Sequence, residues 1–309
     1  MAKNPELPLS VGPGTHCGFV ALIGAPNAGK STLLNALVGA KVAIVTHKVQ
    51  TTRTRITGIG MYENTQLVFI DTPGIFEPKR RLDRAMVSAA WKGSDDAETT
   101  LLLIDAKKGV TDEDEKIIEG LKKHQRKAVL ILNKIDGMRR DGLLALMKQL
   151  NDTGQFSETF LISALTGDGV GDLKAYLASL APEGPWMYPE EQIADVTLRL
   201  LAAEITREKV YLRLHDEIPY HTTVETEKWE ERDDGSVRIE QVIHVQRDTQ
   251  KGIVIGKGGS MLKLVGQMAR EEMEEEFGHR VHLFLHVRTS ERWADDRSVY
   301  RDMGLDFVD

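Results

Sequence analysis

Apolar positions follow two different rhythms along this chain, and the change falls near residue 182. Before it, short and largely apolar runs recur at 19–23, 66–70, 99–104, 128–132 and 159–162. Such runs, bounded by glycine or polar residues, predict strands buried on both faces. Stretches at 32–37, 80–92 and 113–124 carry apolar residues at helical spacing instead. Strands alternating with helices imply right-handed crossovers, hence a doubly wound, mostly parallel α/β sheet ending near Leu180. After residue 196 the pattern is different. Leu198, Leu201, Ile205 and Leu212 predict a helix over 196–214. The stretches 221–231 and 237–245 alternate as strands around an Asp233-Asp234-Gly235 turn, the second with a bulge before Val242. A short helix near 249–255, a glycine-rich loop, a helix over 261–277 and a strand over 281–287 complete an α+β unit. Pro182, Gly184, Pro185 and Pro189 make a stiff connection between the two patterns, on which Trp186 and Tyr188 are expected to pack against a domain surface. The predicted division is a tail at 1–16, an α/β domain at 17–181, a linker at 182–195 and a second domain at 196–309.

Composition changes this picture in two places. With 309 residues, 41% hydrophobic and 28% charged, the chain has the balance of a globular protein too large for one core. No apolar run approaches the ~20 residues of a membrane span, and residues 1–14 lack the apolar segment of a signal peptide. The single Cys17 suits a reducing compartment, and no HExxH or paired Cys/His pattern predicts zinc. The net charge of −7 argues against coating nucleic acid through overall charge. Any such contact must come from a local basic patch.

The chemistry is concentrated after strand ends. Gly24-Ala25-Pro26-Asn27-Ala28-Gly29-Lys30-Ser31 lies between the first apolar run and the helix opening at Thr32. Two glycines let the backbone wrap an anion, the helix N-terminus faces it, and Lys30 adds a charge for the outer phosphates. Ser31 offers a hard oxygen to Mg²⁺. The run at 66–70 ends in Asp71-Thr72-Pro73-Gly74, placing a second Mg²⁺ ligand, Asp71, and a phosphate-directed N–H, Gly74, at the ligand-binding edge of the sheet. The polar loop 46–57 can bring a threonine to the same metal. Asn133-Lys134-Ile135-Asp136 follows the fourth run. The Asp136 carboxylate matches the N1–H and 2-amino donors of guanine, whereas adenine presents an acceptor at N1. Asn133 can tie loops together, the Lys134 stem can cover the base, and a backbone N–H of Ser163-Ala164-Leu165 can reach guanine O6. A kinase is disfavoured, because N-K-x-D selects a base.

In the second domain, Gly256-Lys257-Gly258-Gly259 joins two helices. A Gly-x-x-Gly turn in this order of elements is the KH device for clamping single-stranded nucleic acid. Ile253, Val254, Ile255 and Leu262 are expected to form an apolar floor for the bases. Lys251, Lys257, Lys263 and Arg270 supply local charge, and the acidic run 271–276 is expected to point into solvent.

Together these residues resemble the bacterial Era family, GTPases of the Era/TrmE type with a C-terminal type II KH domain. The pairing of Gln50-Thr51-Thr52-Arg53 and Trp293-Ala294-Asp295-Asp296 with the motifs above narrows the resemblance to that family. It covers everything but the tail. It implies slow GTP hydrolysis with Mg²⁺, with Lys30, Gly74, Asn27 and one of Thr51 and Thr52 acting at the phosphates. It implies partners in the 3′ end of 16S ribosomal RNA and the 30S subunit, and a monomer in the cytoplasm with peripheral inner-membrane association. Asn27 matches a residue that coordinates K⁺ in related GTPases, and Ile75 stands where Ras-like enzymes keep a water-orienting glutamine. Arg53 or Arg55 as an internal arginine finger is the alternative. A different class of reading makes the second domain a protein-interaction module.

Overall fold

The computed structural model describes residues 14–46, 56–78, 81–195, 197–214, 218–290, 297, 300 and 305–307. Contacts divide the chain into two compact units. One is carried by residues up to Asp195 and the other by those from Val196 on, with Ala43–Arg53 and Lys79–Ala85 grouped with the second. The loop threonines Thr51 and Thr52, Arg53 and Arg55, and Trp293–Asp296 lie outside the described residues.

The first unit runs β1 (His16–Gly24), α1 (Lys30–Val38), β2 (Ile56–Tyr62), β3 (Thr65–Asp71), α2 (Arg81–Asp95), β4 (Thr99–Asp105), α3 (Asp112–Lys123), β5 (Ala128–Asn133), α4 (Arg140–Asn151), β6 (Phe156–Leu161) and α5 (Val170–Leu180). Its sheet order is β2-β3-β1-β4-β5-β6. All pairs are parallel except β2 with β3. Strands β3 and β5 are buried at every position, as a sheet covered on both faces requires. One face packs on Ala90 of α2, Ile117 and Leu121 of α3, and Leu143, Leu146 and Leu150 of α4; α1 and α5 pack together against the β1–β3 part of the sheet.

Strand β2 was not expected. Its sequence, Ile-Thr-Gly-Ile-Gly-Met-Tyr, breaks the apolar run with two glycines, and α1 explains both. A Cβ on Gly58 would lie 2.7 Å from Leu34 Cδ1 and 2.8 Å from Val38 Cγ2, and one on Gly60 would lie 3.0 Å from the Leu37 carbonyl. At these two positions the helix therefore sits closer than a side chain would permit. Helix α3 is held at its start by a reciprocal cap. The Thr111 hydroxyl accepts from Asp114 N at 3.3 Å, while Asp114 Oδ2 accepts from Thr111 N at 3.0 Å.

Residues 182–195 are hydrogen-bonded to the first unit. Cys17 N donates to the Pro182 carbonyl, the Gln66 amide bridges Met187 and Tyr188, Ile59 N donates to Ile193 O, and Asp195 N donates to Thr57 O. Trp186 Nε1 donates to Asn64 O at 3.2 Å.

The second unit runs α6 (Leu198–Arg213), β7 (Thr222–Glu231), β8 (Val237–Val245), α7 (Asp248–Ile255), α8 (Ser260–Phe277) and β9 (Val281–Thr289), with sheet order β7-β8-β9. Strands β7 and β8 are antiparallel; β8 and β9 are parallel. The bulge lies on β7 at Glu227, where the register shifts between Thr226 and Lys228, and not on β8 as expected. Strand β8 keeps its alternation by burying Gln241 among the apolar positions. That amide accepts from Thr206 Oγ1 at 2.5 Å and donates to Thr226 Oγ1 at 3.2 Å, so the buried polar group is satisfied.

Candidate nucleotide site and nucleic-acid groove

The strand ends of the first unit bring their polar residues to one edge. Adjacent parallel strands place Leu22 opposite Asp71 and Asp105 opposite Asn133, so the loops leaving β1, β3, β4 and β5 emerge together. Between β1 and α1, the loop Gly24–Gly29 turns tightly. Gly24 and Gly29 have φ of +152° and +102°, and a Cβ on Gly29 would overlap Asn133 Nδ2. Asn27 adopts φ +64°. Helix α1 opens with Lys30, Ser31 and Thr32 and has no acidic residue in its first turn, so its positive end is uncompensated. Lys30 is buried and donates to the carbonyls of Gly24 and Ala25, both at 3.0 Å. Burial pulls its pKa down to about 8 against the opposing attraction of Asp71 and Asp114.

Ser31 Oγ donates to Asp71 Oδ2 at 2.9 Å, which puts two hard oxygen ligands side by side at the end of β3. This pair fits Mg²⁺. Thr72 Oγ1 donates to Leu22 O at 2.7 Å and Pro73 is buried, so the turn after Asp71 is fixed to β1. A Cβ on Gly74 would stand 3.0 Å from Pro26 N, and Ile75 N donates to Gly24 O at 3.1 Å. The phosphate loop and the Asp71–Gly74 turn are thus in direct contact. The Ile75 side chain is buried with Ala90 and Ile117 and offers no polar atom to this edge.

Asn133 does the tying expected of it. Its Nδ2 donates to Ala28 O at 2.9 Å, and its Oδ1 accepts from Ala164 N at 3.0 Å, joining three loops. The Ala164 N–H, one candidate donor to a base, is therefore spent on Asn133. Lys134 has φ +66° and its ammonium bridges Asn27 O (2.6 Å) and Asp105 Oδ2 (2.7 Å). Two of the four described non-glycine residues with positive φ, Asn27 and Lys134, belong to this site. Asp136 accepts from Lys107 Nζ at 2.6 Å and from Ser163 Oγ at 2.9 Å, and these donors, Lys107 foremost, hold its carboxyl below the usual range. Leu165 projects into solvent at the tip of the same loop. Asp105 and Lys107 were not singled out in the sequence. The signal was there, since Asp105 ends its strand as Asp71 ends β3.

In the second unit, α7 and α8 are joined through Gly256–Gly259. Gly256 has φ +74°, and a Cβ there would lie 2.7 Å from Met261 Cβ; Gly258 and Gly259 have nothing within 4 Å of that position. One glycine thus closes the turn and two leave its outer side open. Beside it is a groove of about 540 Å³ lined by Gly259, Leu262, Lys263, Gly266, Gln267 and Arg270 of the α8 side and Leu283 and Leu285 of β9. Leu262, Lys263 and Arg270 are brought together as expected. Val254 is not part of the floor: it is 1% exposed and packs with Val210, Ile243 and Val265. Lys251, Ile253 and Ile255 lie on α7 outside the groove lining, with Ile253 exposed; Lys257 is exposed in the turn itself. The acidic run is not wholly solvated either. Glu272 pairs with Lys209, and Glu274 pairs with Arg270 at 2.8 Å while accepting from Val281 N.

Comparison with known proteins agrees with both units. Residues 19–134 match the family described as 50S ribosome-binding GTPase, and residues 217–294 match the KH domain family. The GTPase Era of Rhizobium meliloti (strain 1021) is 59% identical over 293 residues, spanning 95% of this chain and 94% of its own. That of Caulobacter vibrioides (strain NA1000 / CB15N) is 58% identical over 307 residues, spanning 95% and 97%. A crystal structure of Era in complex with MgGDPNP and nucleotides 1506–1542 of 16S ribosomal RNA superposes with a TM-score of 0.89 at 37% identity, covering 94% of this chain and 99% of that one. A single-residue variant of Aquifex aeolicus Era bound to GDP·AlF4⁻ gives 0.88 at 36%, covering 94% and 99%. With near-complete relatives at this identity, the chain belongs to the Era family of GTPases.

Proposed function

We propose that this GTPase is a nucleotide-driven RNA switch that binds the 3′ end of 16S ribosomal RNA and acts in assembly and maturation of the 30S subunit, as a cytoplasmic monomer with peripheral membrane contact. The observation that carries the reading is the presence in one chain of a tied nucleotide edge and of a groove beside an open Gly-x-x-Gly turn. Its similarity, over 94% of the chain, to an Era bound to such RNA supports the choice of ligand. The GTPase domain is assigned to 17–181 and the RNA-binding domain to 196–309.

In hydrolysis, water attacks the γ-phosphorus and the bond to the β–γ bridging oxygen breaks, giving GDP and phosphate. Lys30 and the backbone N–H groups of residues 24–32, other than Pro26, hold the phosphates. The Gly74 N–H meets the γ-phosphate. Ser31 and Asp71, with Thr51 or Thr52, would hold Mg²⁺, which when bound would supply positive charge beside the phosphate oxygens. Asp136 reads guanine, the Lys134 stem covers the base, Asn133 ties the loops that hold both in place, and the Ser163–Leu165 loop lies toward O6. Ile75 cannot orient water, and Asn27, set at the mouth of the phosphate loop, would hold a K⁺ that supplies positive charge there. Faster hydrolysis in K⁺ than in Na⁺, with the difference lost in Asn27→Ala, is the expected result; equal rates in the two salts overturn this element.

The function is tested by titrating an RNA oligomer of the 3′ end sequence at fixed salt, with GDP and with a non-hydrolysable GTP analogue. Tighter binding with the analogue is expected, as is tighter analogue binding with RNA. Equal, weak binding in both states would favour a protein partner for the second domain.

A further inference from the structure

The two loops leaving β4 and β5 carry mirror-image charge patterns, Asp105-Ala106-Lys107 and Lys134-Ile135-Asp136. Because Asp105 and Asn133 are paired in register, the loops start level and the charges cross-match. Lys134 bonds Asp105 at 2.7 Å and Lys107 bonds Asp136 at 2.6 Å. The turn that aims Lys107 is itself built by Asp105, whose Oδ1 accepts from Lys107 N at 3.1 Å and whose carbonyl accepts from Lys108 N and Gly109 N.

The two pairs are not equivalent. Asp105 is a buried anchor, whereas Asp136 is the carboxylate assigned to guanine, and the following inference rests on that assignment. Bidentate recognition of N1–H and the 2-amino group needs an acceptor lone pair on each Asp136 oxygen along one edge. Oδ1 already accepts from the neutral Ser163 hydroxyl, and Oδ2 from the Lys107 ammonium. We propose that Lys107 is an internal competitor for the guanine-reading carboxylate, so that nucleotide must displace its ammonium from Asp136 Oδ2 and affinity is set below what the site could otherwise reach. The pair's side chains are 47% and 35% exposed, so the competing bond is weak enough for a base to break. Its presence lowers the fraction of protein ready to bind, which acts on the association rate and leaves dissociation alone.

The test compares GDP binding by the full chain and by Lys107→Met, Lys107→Arg and Lys108→Met at low salt. Lys108 is the exposed neighbour, and its variant reports the general effect of removing one positive charge near an anionic ligand. The expected result is that Lys107→Met binds GDP about three-fold more tightly than Lys108→Met, through faster association, with the gap closing toward ~0.5 M salt. Lys107→Arg should behave as the unaltered protein. Equal affinities for the two Met variants, or weaker binding by Lys107→Met, overturn the proposal. Asp136→Asn is run alongside. If it leaves GDP affinity unchanged, the assignment of Asp136 to the base fails, and the competitor role falls with it for that separate reason.

Discussion

The burial of Lys30 predicts that nucleotide binding is linked to proton uptake. Burial between the Gly24 and Ala25 carbonyls lowers its pKa from 10.5 to about 8 in the free protein, while bound phosphates would restore the charged form. Between those values the unfolded chain holds more protons than the folded one, so this group's contribution to free-protein stability rises with pH across that window. Affinity for GDP is expected to move the other way, falling as pH rises above about 8. Calorimetry of GDP binding at pH 9 in buffers of different ionisation enthalpy should report uptake approaching one proton, and almost none at pH 7; no uptake at pH 9 would mean that Lys30 stays charged without phosphate. Asn133 poses a different question at the same scale. Replacing it with Ala leaves the Ala28 carbonyl and the Ala164 N–H without their partner at positions that are 2% and 6% exposed. The expected loss is ~2–4 kcal/mol, read as a lowered denaturant midpoint without nucleotide. An unchanged midpoint would show that the three loops are held by other contacts.

Elements were legible where packing is one-sided or complete and illegible where a neighbour intrudes. The unbroken apolar strands β1, β3, β4 and β5 and the order of elements in the second unit followed from period alone, since each of those segments meets the core in the way its pattern advertises. Strand β2 did not, because Gly58 and Gly60 serve α1 rather than the strand's own pattern. The β7 bulge was misplaced for a related reason: Gln241 reads as a surface residue until Thr206 and Thr226 are seen to satisfy it. The site divides in the same way. Gly24–Ser31, Asp71–Gly74 and Asn133–Asp136 are local motifs and were readable, whereas Lys107 matters only through Asp136 and required the register of β4 and β5. Val254 was misassigned because a short helix with consecutive apolar residues does not say which of them faces inward. The account of β2 makes its own prediction. Gly58→Ala drives a methyl into Leu34 and Val38 and should cost ~1–3 kcal/mol of stability through overpacking, measured by denaturant unfolding. A neutral or stabilising result would mean that α1 can retreat from the strand at no cost.

For the molecule as a whole, a net charge of −7 has to coexist with the proposed RNA binding. An acidic surface repels a polyanion at long range, so binding must rest on a few cations placed close to the phosphates. In the second unit those are Lys257 in the open turn and Lys263 and Arg270 along the groove, and Arg270 already shares its charge with Glu274. Two or three neutralised phosphates on a single strand correspond to a slope of about −1.4 to −2.1 in log K against log salt. That dependence is shallow for a nucleic-acid-binding protein. It leaves the rest of the affinity to apolar contact with Leu262, Leu283 and Leu285 and to backbone groups at Gly258 and Gly259. Titration of the 3′ end oligomer with the GTP analogue bound, over a series of salt concentrations, should give a slope in that range. Lys263→Ala should make it shallower by about 0.7, the contribution of one phosphate, and should weaken binding to different sequences by a similar factor. A slope steeper than about −4 would require roughly six engaged cations, more than the groove supplies, and would locate the RNA on a different surface of this acidic chain.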